Sequence, residues 1–252
     1  MRRVDLNADV GESFGAYTIG DDLAVLDVVT SASVACGFHA GDPTVMTKTV
    51  TAAAARGVVV GAHVGYRDLQ GFGRRPLAVA PAELTADVIY QLGALAGIAR
   101  SAGCQVRFVK PHGALYNAAA ADPAVARSVV DAVVAFDRSL PLVTLPGSAV
   151  VDIAAALGVA TITECFADRA YTSAGSLVPR DLPGAVIHDA DVVVARALAM
   201  ATGEPIETMD GASLRIAAQS MCVHGDTPGA AELARRIRAA LTEAGVQLKP
   251  FA

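Results

Sequence analysis

The stretch FVKPHGALYN, residues 108–117, joins an apolar run to a group of reactive side chains. Lys110 and His112 follow the apolar pair that begins at Phe108, and Tyr116 stands four residues further on. In parallel α/β folds a helix follows each strand, and ligands bind beyond the carboxyl ends of the strands. The stretch therefore predicts a strand that ends at a binding site, and its recurrence along the chain would decide the fold.

The same pattern recurs seven times. Runs such as GVVVGAH are apolar throughout rather than alternating, which favours parallel strands covered on both faces. A chain of 252 residues suits one α/β barrel. We expect a single domain over residues 1–252, a distorted (β/α)7 TIM-like barrel, with a doubly wound open sheet as the alternative. The predicted strands cover residues 3–8, 32–37, 58–63, 106–111, 140–145, 159–165 and 220–224.

The helices between these strands have recognisable ends. Asp or Thr before proline is typical of an N-cap followed by the first helical residue, and glycine is typical of the position after the last turn. The predicted caps are Asp42-Pro43, Asp122-Pro123 and Thr227-Pro228. The predicted helix ends are Gly57, Gly103, Gly158 and Gly245.

Composition excludes several classes of function. The net charge is −5 and no basic run exceeds two residues, so nucleic acid is not an expected partner. No apolar run approaches the ~20 residues of a membrane span, and the N-terminus lacks an apolar signal core, so we expect a cytoplasmic protein without membrane contact. Four cysteines without a CxxC pair predict free thiols.

Four of the five histidines stand at the ends of predicted strands. One histidine at such a position is most often a hydrogen-bonded structural residue. Four on one rim favour a shared pocket, provided that the strands are assigned correctly. These histidines are His39, His63, His112 and His224.

The segment DLNADVGE, residues 5–12, brings carboxylates to the same rim. Alternate positions place Asp5, Asn7 and Asp9 on one face of a strand, and Glu12 follows the strand end. Inward carboxylates can bind a divalent ion or act as a general base, although a hydrogen-bonded structural network is an alternative. With two histidines they could form a mixed metal site. The candidate metal ligands are Asp9, His39 and His63.

Cationic residues suggest anion binding at two further places. The glycine-rich stretch DLQGFGRRP, residues 68–76, offers backbone N–H groups beside Arg74 and Arg75 for a phosphate, or is simply a solvated turn. Lys110, at the end of an apolar strand, should face a carboxylate or a bound anion. No P-loop motif occurs, so a nucleotide would be held without one.

The repeat breaks down between residues 166 and 219, where a long loop is expected to be functional. A helix is predicted over residues 189–201, and ASLRIAA can form a short strand. Arg169 and Arg180 could clamp a substrate carboxylate, or serve as ordinary ion-pair residues.

Seven motifs in this order resemble the LamB/YcsF family from Val4 to Pro228: VDLNADVGESFG, ASVACGFHAGDP, GAHVGYRDLQGFGRR, VKPHGALYN, ECFADRAY, LVPR and CVHGDTP. The resemblance implies a barrel of the glycoside hydrolase and deacetylase type, with a place in carbohydrate metabolism. It also implies a 5-oxoprolinase (EC 3.5.2.9) that opens 5-oxoproline to L-glutamate with ATP, present as its magnesium complex, together with 5-oxoprolinase subunits B and C. Small departures from the family pattern stand at Ala8, Val64, Arg67 and Ala174.

Combining the motifs with this chemistry assigns roles to individual residues. The candidate catalytic residues are Asp9, Glu12, His63, Lys110 and His112. The candidate ATP contacts are Arg74, Arg75 and Lys110. The candidate substrate contacts are Asn7, His39, Asp168, Arg169, Arg180, His224 and Asp226. Two alternatives stay open: a metal-dependent amidohydrolase or deacetylase that works without ATP, and a noncatalytic subunit that only holds substrate.

Overall fold

The structure, a computed structural model, describes residues 3–225 and 229–252. Seven parallel strands close into a barrel in the order β1, β2, β3, β4, β5, β6 and β9, and β9 returns to β1. Their bounds are β1 Arg3–Val10, β2 Ser31–Ala35, β3 Val59–Val64, β4 Val106–Pro111, β5 Leu142–Thr144, β6 Thr161–Phe166 and β9 Ser220–Val223. Three short strands accompany them: β7 Ile206–Glu207, β8 Ser213–Leu214 and β10 Gln247–Leu248. The predicted barrel is confirmed, and the open sheet is excluded by the β1–β9 pairing.

Helices follow the barrel strands, as the repeat predicts. They are α1 Asp22–Leu26, α2 Pro43–Ala55, α3 Pro81–Ser101, α4 Gly113–Ala121, α5 Pro123–Asp137, α6 Ala149–Ala156, α7 Ala190–Thr202 and α8 Ala230–Glu243. The side chains of Asp42 and Asp122 accept hydrogen bonds from backbone N–H groups in the first turns of α2 and α5. The third predicted cap, Thr227-Pro228, lies outside the described residues, and α8 begins after Gly229. The four predicted glycines after helices have φ between 67° and 76°.

Each predicted strand exists, with ends displaced by no more than about two residues. The largest functional difference is at β1, which continues to Val10 because Asp9 and Val10 pair with Ser33 and Val34 of β2. In the long segment, α7 lies within one residue of its predicted bounds, and Ser213–Leu214 within ASLRIAA pairs with Ile206–Glu207 as a hairpin outside the barrel.

The barrel interior contains a hydrogen-bond network around Asp5 and an aromatic contact of Phe108. The Asp5 carboxylate accepts hydrogen bonds from Ser31 Oγ at 2.8 Å and Ser220 Oγ at 2.5 Å. This is the structural network that the sequence left open for the first strand. Below it, the Phe108 ring lies so close to Gly61 that a Cβ at that glycine would stand 2.1 Å from it, and Phe251 packs 5.1 Å away.

Two arginines fasten the long segment after β6 to the barrel. Arg196 of α7 donates to the carbonyls of Ala167 and Arg169 at 3.0 and 2.8 Å. Arg169 in turn donates to the carbonyls of Val178 and Ala185 at 2.6 and 3.2 Å. The segment is therefore an ordered wall beside the barrel mouth.

Two expectations from composition can be compared with the structure. All four cysteines are free thiols, as predicted. Burial raises the pKa of the Cys36 thiol to about 12, so this thiol stays protonated at neutral pH. Within the described ranges, every helix is too short or too polar to cross a bilayer.

Candidate functional site

A buried lysine lies in the centre of the upper barrel. Lys110 Nζ donates to Asp9 Oδ1 at 2.9 Å and to Asn7 Oδ1 at 3.3 Å, and it lies 3.1 Å from both Glu164 Oε1 and Cys222 Sγ. Burial alone would lower the pKa of Lys110, but Asp9, Cys222 and Glu164 together raise it well above its usual value. Lys110 therefore stays charged, and the prediction that it faces a carboxylate is confirmed.

The two carboxylates around Lys110 are in different electrostatic environments. Burial would raise the pKa of Asp9, but His63 and Lys110 hold it well below its usual value. The pKa of Glu164 is raised by burial, with Lys110 opposing the shift. Asn7 orients Glu164 by donating to its Oε1 at 2.8 Å. Asp9 is thus ionised at neutral pH, and Glu164 is the weaker acid of the pair.

Above this layer, three imidazoles and one carboxylate form a compact group that we call the histidine cluster: Glu12, His39, His63 and His112. One potential ligand atom from each residue lies within 4.8 Å of the others, and all four residues are buried. Glu12 Oε1 is 3.3 Å from His39 Nε2 and 3.4 Å from His112 Nδ1. His63 Nε2 is 3.0 Å from His112 Nδ1.

Backbone carbonyls orient two of these rings. His63 Nδ1 lies 3.0 Å from the Lys110 carbonyl, and His112 Nε2 lies 2.8 Å from the Phe72 carbonyl. A carbonyl only accepts, so we assign the proton to the nitrogen that faces it. His63 Nε2 and His112 Nδ1 are consequently the ring nitrogens that face the cluster. The pKa values of His39 and His112 are held well below the usual value, first by burial and then by neighbouring histidines.

Two glycines allow the loops to close against the cluster. A Cβ on Gly65 would stand 2.6 Å from His39 Nδ1. A Cβ on Gly73, whose φ is +62°, would stand 2.6 Å from the Cβ of His39 and 2.8 Å from Cδ2 of His112. His39 and His112 can therefore stack with 3.8 Å between ring centroids only because no side chain is present at these two positions.

A second polar group lines the wall formed by the long segment. His224 Nδ1 lies 2.7 Å from Asp168 Oδ2. Burial would raise the pKa of Asp168, but His224 and nearby arginines lower it below its usual value. The pKa of Arg169 is lowered by burial and by the positive charges of Arg180 and Arg74. Several cationic side chains therefore share this part of the rim. The remaining predicted substrate contact, Asp226, lies outside the described residues.

The two arginines of the glycine-rich loop have different surroundings. The Arg75 guanidinium pairs with Asp68, and the Arg75 side chain is 59% exposed. The Arg74 guanidinium lies 4.7 Å above the Phe72 ring, beside the histidine cluster. Their predicted contacts with phosphate stay predictions, but Arg74 is the one of the two that lies beside the candidate site.

Phe166 connects the two polar groups. Its ring stacks on His224 with 5.4 Å between centroids, and Lys110 Nζ lies 5.5 Å from its centroid. The Tyr116 ring packs edge-on against it, with a buried hydroxyl for which the described residues provide no hydrogen-bond partner. Phe166, Tyr116, Glu164 and Cys222 belong to the site but were not among the predicted site residues.

The candidate metal ligands lie in two adjoining groups. His39 and His63 belong to the histidine cluster, together with Glu12 and His112. Asp9 pairs with Lys110, while its Oδ2 lies 3.3 Å from His63 Nε2. The metal site of Asp9, His39 and His63 stays a prediction.

Comparisons with known proteins agree with the motif pattern. The profile of the LamB/YcsF family matches residues 4–252. The chain belongs to the LamB/YcsF family. A family relative, a 5-oxoprolinase A subunit of Pseudomonas syringae pv. tomato, is 55% identical over 252 residues, which cover 100% of this chain and 98% of that protein.

Comparison with solved structures identifies proteins that share this fold. The lactam utilization protein from Thermus thermophilus superposes with a TM-score of 0.93 at 45% identity, over 99% of this chain and 100% of that one. A family 4 carbohydrate esterase from Streptomyces lividans gives a TM-score of 0.50 at 13% identity, over 100% and 93% of the two chains. The second likeness concerns the fold alone, and it agrees with the expected deacetylase type of barrel.

Proposed function

We propose that this chain is the A subunit of an ATP-dependent 5-oxoprolinase, which opens 5-oxo-L-proline to L-glutamate together with subunits B and C. The observation that carries the proposal is the 55% identity, over the full length, to proteins named as the A subunit of 5-oxoprolinase. The likeness to a lactam utilization protein supports the same class of substrate, because 5-oxoproline is a five-membered lactam.

The lactam is a poor electrophile because amide resonance lowers the reactivity of its carbonyl carbon. ATP, when bound, would supply a phosphoryl group to the lactam oxygen, so that one water can add to the ring carbon, the C–N bond can break, and a second water can release phosphate. The positive charges of Arg74 and Arg180, which lie near the buried Arg169, suit the anionic groups of both reactants. The chain lacks a P-loop, which is consistent with a nucleotide shared with partner subunits.

Asp9 is a candidate base in this proposal. Its carboxylate is held ionised by Lys110 and His63, and its Oδ2 lies 3.3 Å from His63 Nε2 of the histidine cluster. Asp9 would orient a water molecule and accept its proton. Lys110 is 2% exposed and already paired with two carboxylates, so we assign it a positioning role rather than direct contact with phosphate. His63 and His112 are candidates for proton transfer to the ring nitrogen.

One alternative is favoured by a specific observation. Three imidazoles and a carboxylate could hold a metal ion for an amidohydrolase or deacetylase reaction that needs no ATP. A noncatalytic substrate-binding subunit is a weaker candidate, because binding alone does not require so many buried titratable groups.

Reconstitution tests these functions. The purified chain is incubated with 5-oxoproline, alone and with both partner subunits, with and without ATP, while phosphate and glutamate are measured. We expect equal amounts of the two products only in the mixture of all subunits with ATP. Glutamate formed without ATP would refute the proposal in favour of the amidohydrolase. Full coupled turnover by the two partner subunits without this chain would refute a catalytic role for it.

A further inference from the structure

We propose that the histidine cluster binds one divalent transition-metal ion of the zinc class. The four ligands come from the ends of four neighbouring strands. His63 lies in β3, and Glu12, His39 and His112 follow β1, β2 and β4. The inference does not depend on the identity of the reaction, since it rests on distances and hydrogen-bond directions within the cluster.

Several distances within the cluster are close to those of a coordination tetrahedron. With metal–nitrogen bonds of 2.0–2.1 Å, two ligands of a tetrahedral zinc ion are about 3.3 Å apart. The corresponding distances here are 3.3 Å from Glu12 Oε1 to His39 Nε2, and 3.4 Å from Glu12 Oε1 to His112 Nδ1. His112 Nδ1 is 3.0 Å from His63 Nε2, and Glu12 Oε1 is 4.0 Å from His63 Nε2. The whole set extends to 4.8 Å and the His39 and His112 rings are stacked, so these two rings would turn when an ion binds.

The hydrogen bonds outside the cluster prepare its nitrogens as ligands. The Lys110 carbonyl fixes a proton on His63 Nδ1, and the Phe72 carbonyl fixes one on His112 Nε2. The opposite nitrogens then face each other across 3.0 Å. Metal-binding histidines in proteins are oriented in the same way, by an outer acceptor on the nitrogen that does not bind the ion.

Several potential ligand atoms crowd one buried space around His63 Nε2. Asp9 Oδ2 lies 3.3 Å from it, His112 Nδ1 3.0 Å and Glu12 Oε1 4.0 Å. A single proton on Nε2 can form a good hydrogen bond to only one of these atoms. A metal ion satisfies the nitrogens and the Glu12 carboxylate together.

The ligand types indicate which ion would bind. Imidazole suits zinc, copper, iron and nickel, whereas magnesium and calcium prefer oxygen ligands. Four protein ligands also fill a tetrahedral site, as in zinc sites that hold segments together. The ion would therefore tie together the ends of four strands. His63 and His112 would then be ligands, and proton transfer would be left to Asp9.

Metal analysis tests this site without any activity measurement. Untagged protein is dialysed against zinc and then against metal-free buffer, and bound metal is measured by mass spectrometry. We expect about one zinc ion per chain, as for a tetrahedral site of this type. The variants Glu12→Gln, His39→Gln and His112→Gln should bind zinc more than about 100-fold more weakly in a chelator competition, since even the loss of outer hydrogen bonds weakens metal sites 10–100-fold. His188→Gln changes a histidine outside the cluster and should bind as the wild type does.

A second measurement avoids dependence on the variants, some of which could fold poorly. The folded wild-type chain, checked by circular dichroism, is loaded with cobalt, and the intense visible absorption of tetrahedral cobalt is expected. A folded wild type that retains no zinc and shows no such absorption would overturn the metal site. That result would not touch the 5-oxoprolinase proposal, because no substrate, ATP or partner subunit is present in either measurement.

Discussion

Asp9 and Lys110 form a buried ion pair in the barrel, with 2.9 Å between Oδ1 and Nζ and side chains that are 8% and 2% exposed. The pair joins β1 to β4 across the interior, and Glu164 of β6 shares the ammonium group. A lone lysine here would be strongly destabilised by desolvation, and so would the carboxylates without it. The charge balance of the site therefore depends on Lys110.

Replacing Lys110 by Met should remove both stability and coupled turnover. The change leaves Asp9 and Glu164 buried without the cation that both of them contact. We expect the free energy of unfolding to fall by about 3–5 kcal/mol, as for a broken buried pair. Urea denaturation and glutamate formation measure the two effects. The matched control is Lys48→Met on the exposed side of α2, which should change neither. Unchanged turnover in Lys110→Met would remove this residue from the site.

Two neighbouring arginines should differ in their effect on substrate binding. Arg74→Gln removes a positive charge beside the cluster and should raise KM for an anionic reactant about 10-fold or more, since hydrogen bonds to charged groups contribute about 1.5–3 kcal/mol. Arg75→Gln removes a charge that Asp68 already neutralises, so KM should change little. Steady-state kinetics of the reconstituted enzyme compare the two. Equal increases in KM would show that both arginines of the glycine-rich loop bind the anionic reactant.

Gly61 should not tolerate even one additional methyl group. A Cβ at this position would lie 2.1 Å from the Phe108 ring, so Gly61→Ala should lower the free energy of unfolding by about 1–3 kcal/mol through overpacking. Gly93 in α3 has open space where a Cβ would stand, and Gly93→Ala should raise stability by up to about 1 kcal/mol because alanine is the better helix former. Chemical denaturation of both variants measures these two changes in the free energy of unfolding. A neutral Gly61→Ala would mean that the barrel floor can rearrange.

The Asp168–His224 contact should make stability depend on pH on the acid side. The folded pKa of Asp168 lies below its ordinary value of 3.8, so its contribution is complete above pH 3.8 and is lost as the pH falls through the folded pKa. Asp168→Asn lacks this contribution, and its stability should fall less steeply than that of the wild type below pH 3.8. Unfolding free energies measured over a pH series show how steeply the stability of each protein falls with pH. Asp152→Asn, an exposed change on α6, should follow the wild-type curve.

The barrel could be predicted from sequence because its signals are local. Apolar runs, capping residues such as Asp42 and Asp122, and glycines after helices each mark an element within a few residues of its observed end. Closure of the sheet is not local, and only the β1–β9 pairing decides it. The seven repeats favoured a closed barrel but left an open sheet as an alternative, and the family motifs favoured the barrel as well.

The composition of the site was harder to predict than its position. Four histidines at strand ends indicated one rim correctly, but His39, His63 and His112 meet in one cluster while His224 pairs with Asp168. This division depends on loops that close at Gly65 and Gly73, which is a property of packing rather than of spacing. Glu164 was missed for a similar reason. A single carboxylate in an apolar strand gives no sign in the sequence of whether it faces the barrel interior.

The aromatic contacts of Phe108 have a consequence for how the chain folds together. Phe251, which follows the last short strand, packs on Phe108 of β4 with 5.1 Å between ring centroids, and Phe108 in turn occupies the space in front of Gly61. Packing of the residues after β10 is therefore coupled to packing inside the barrel.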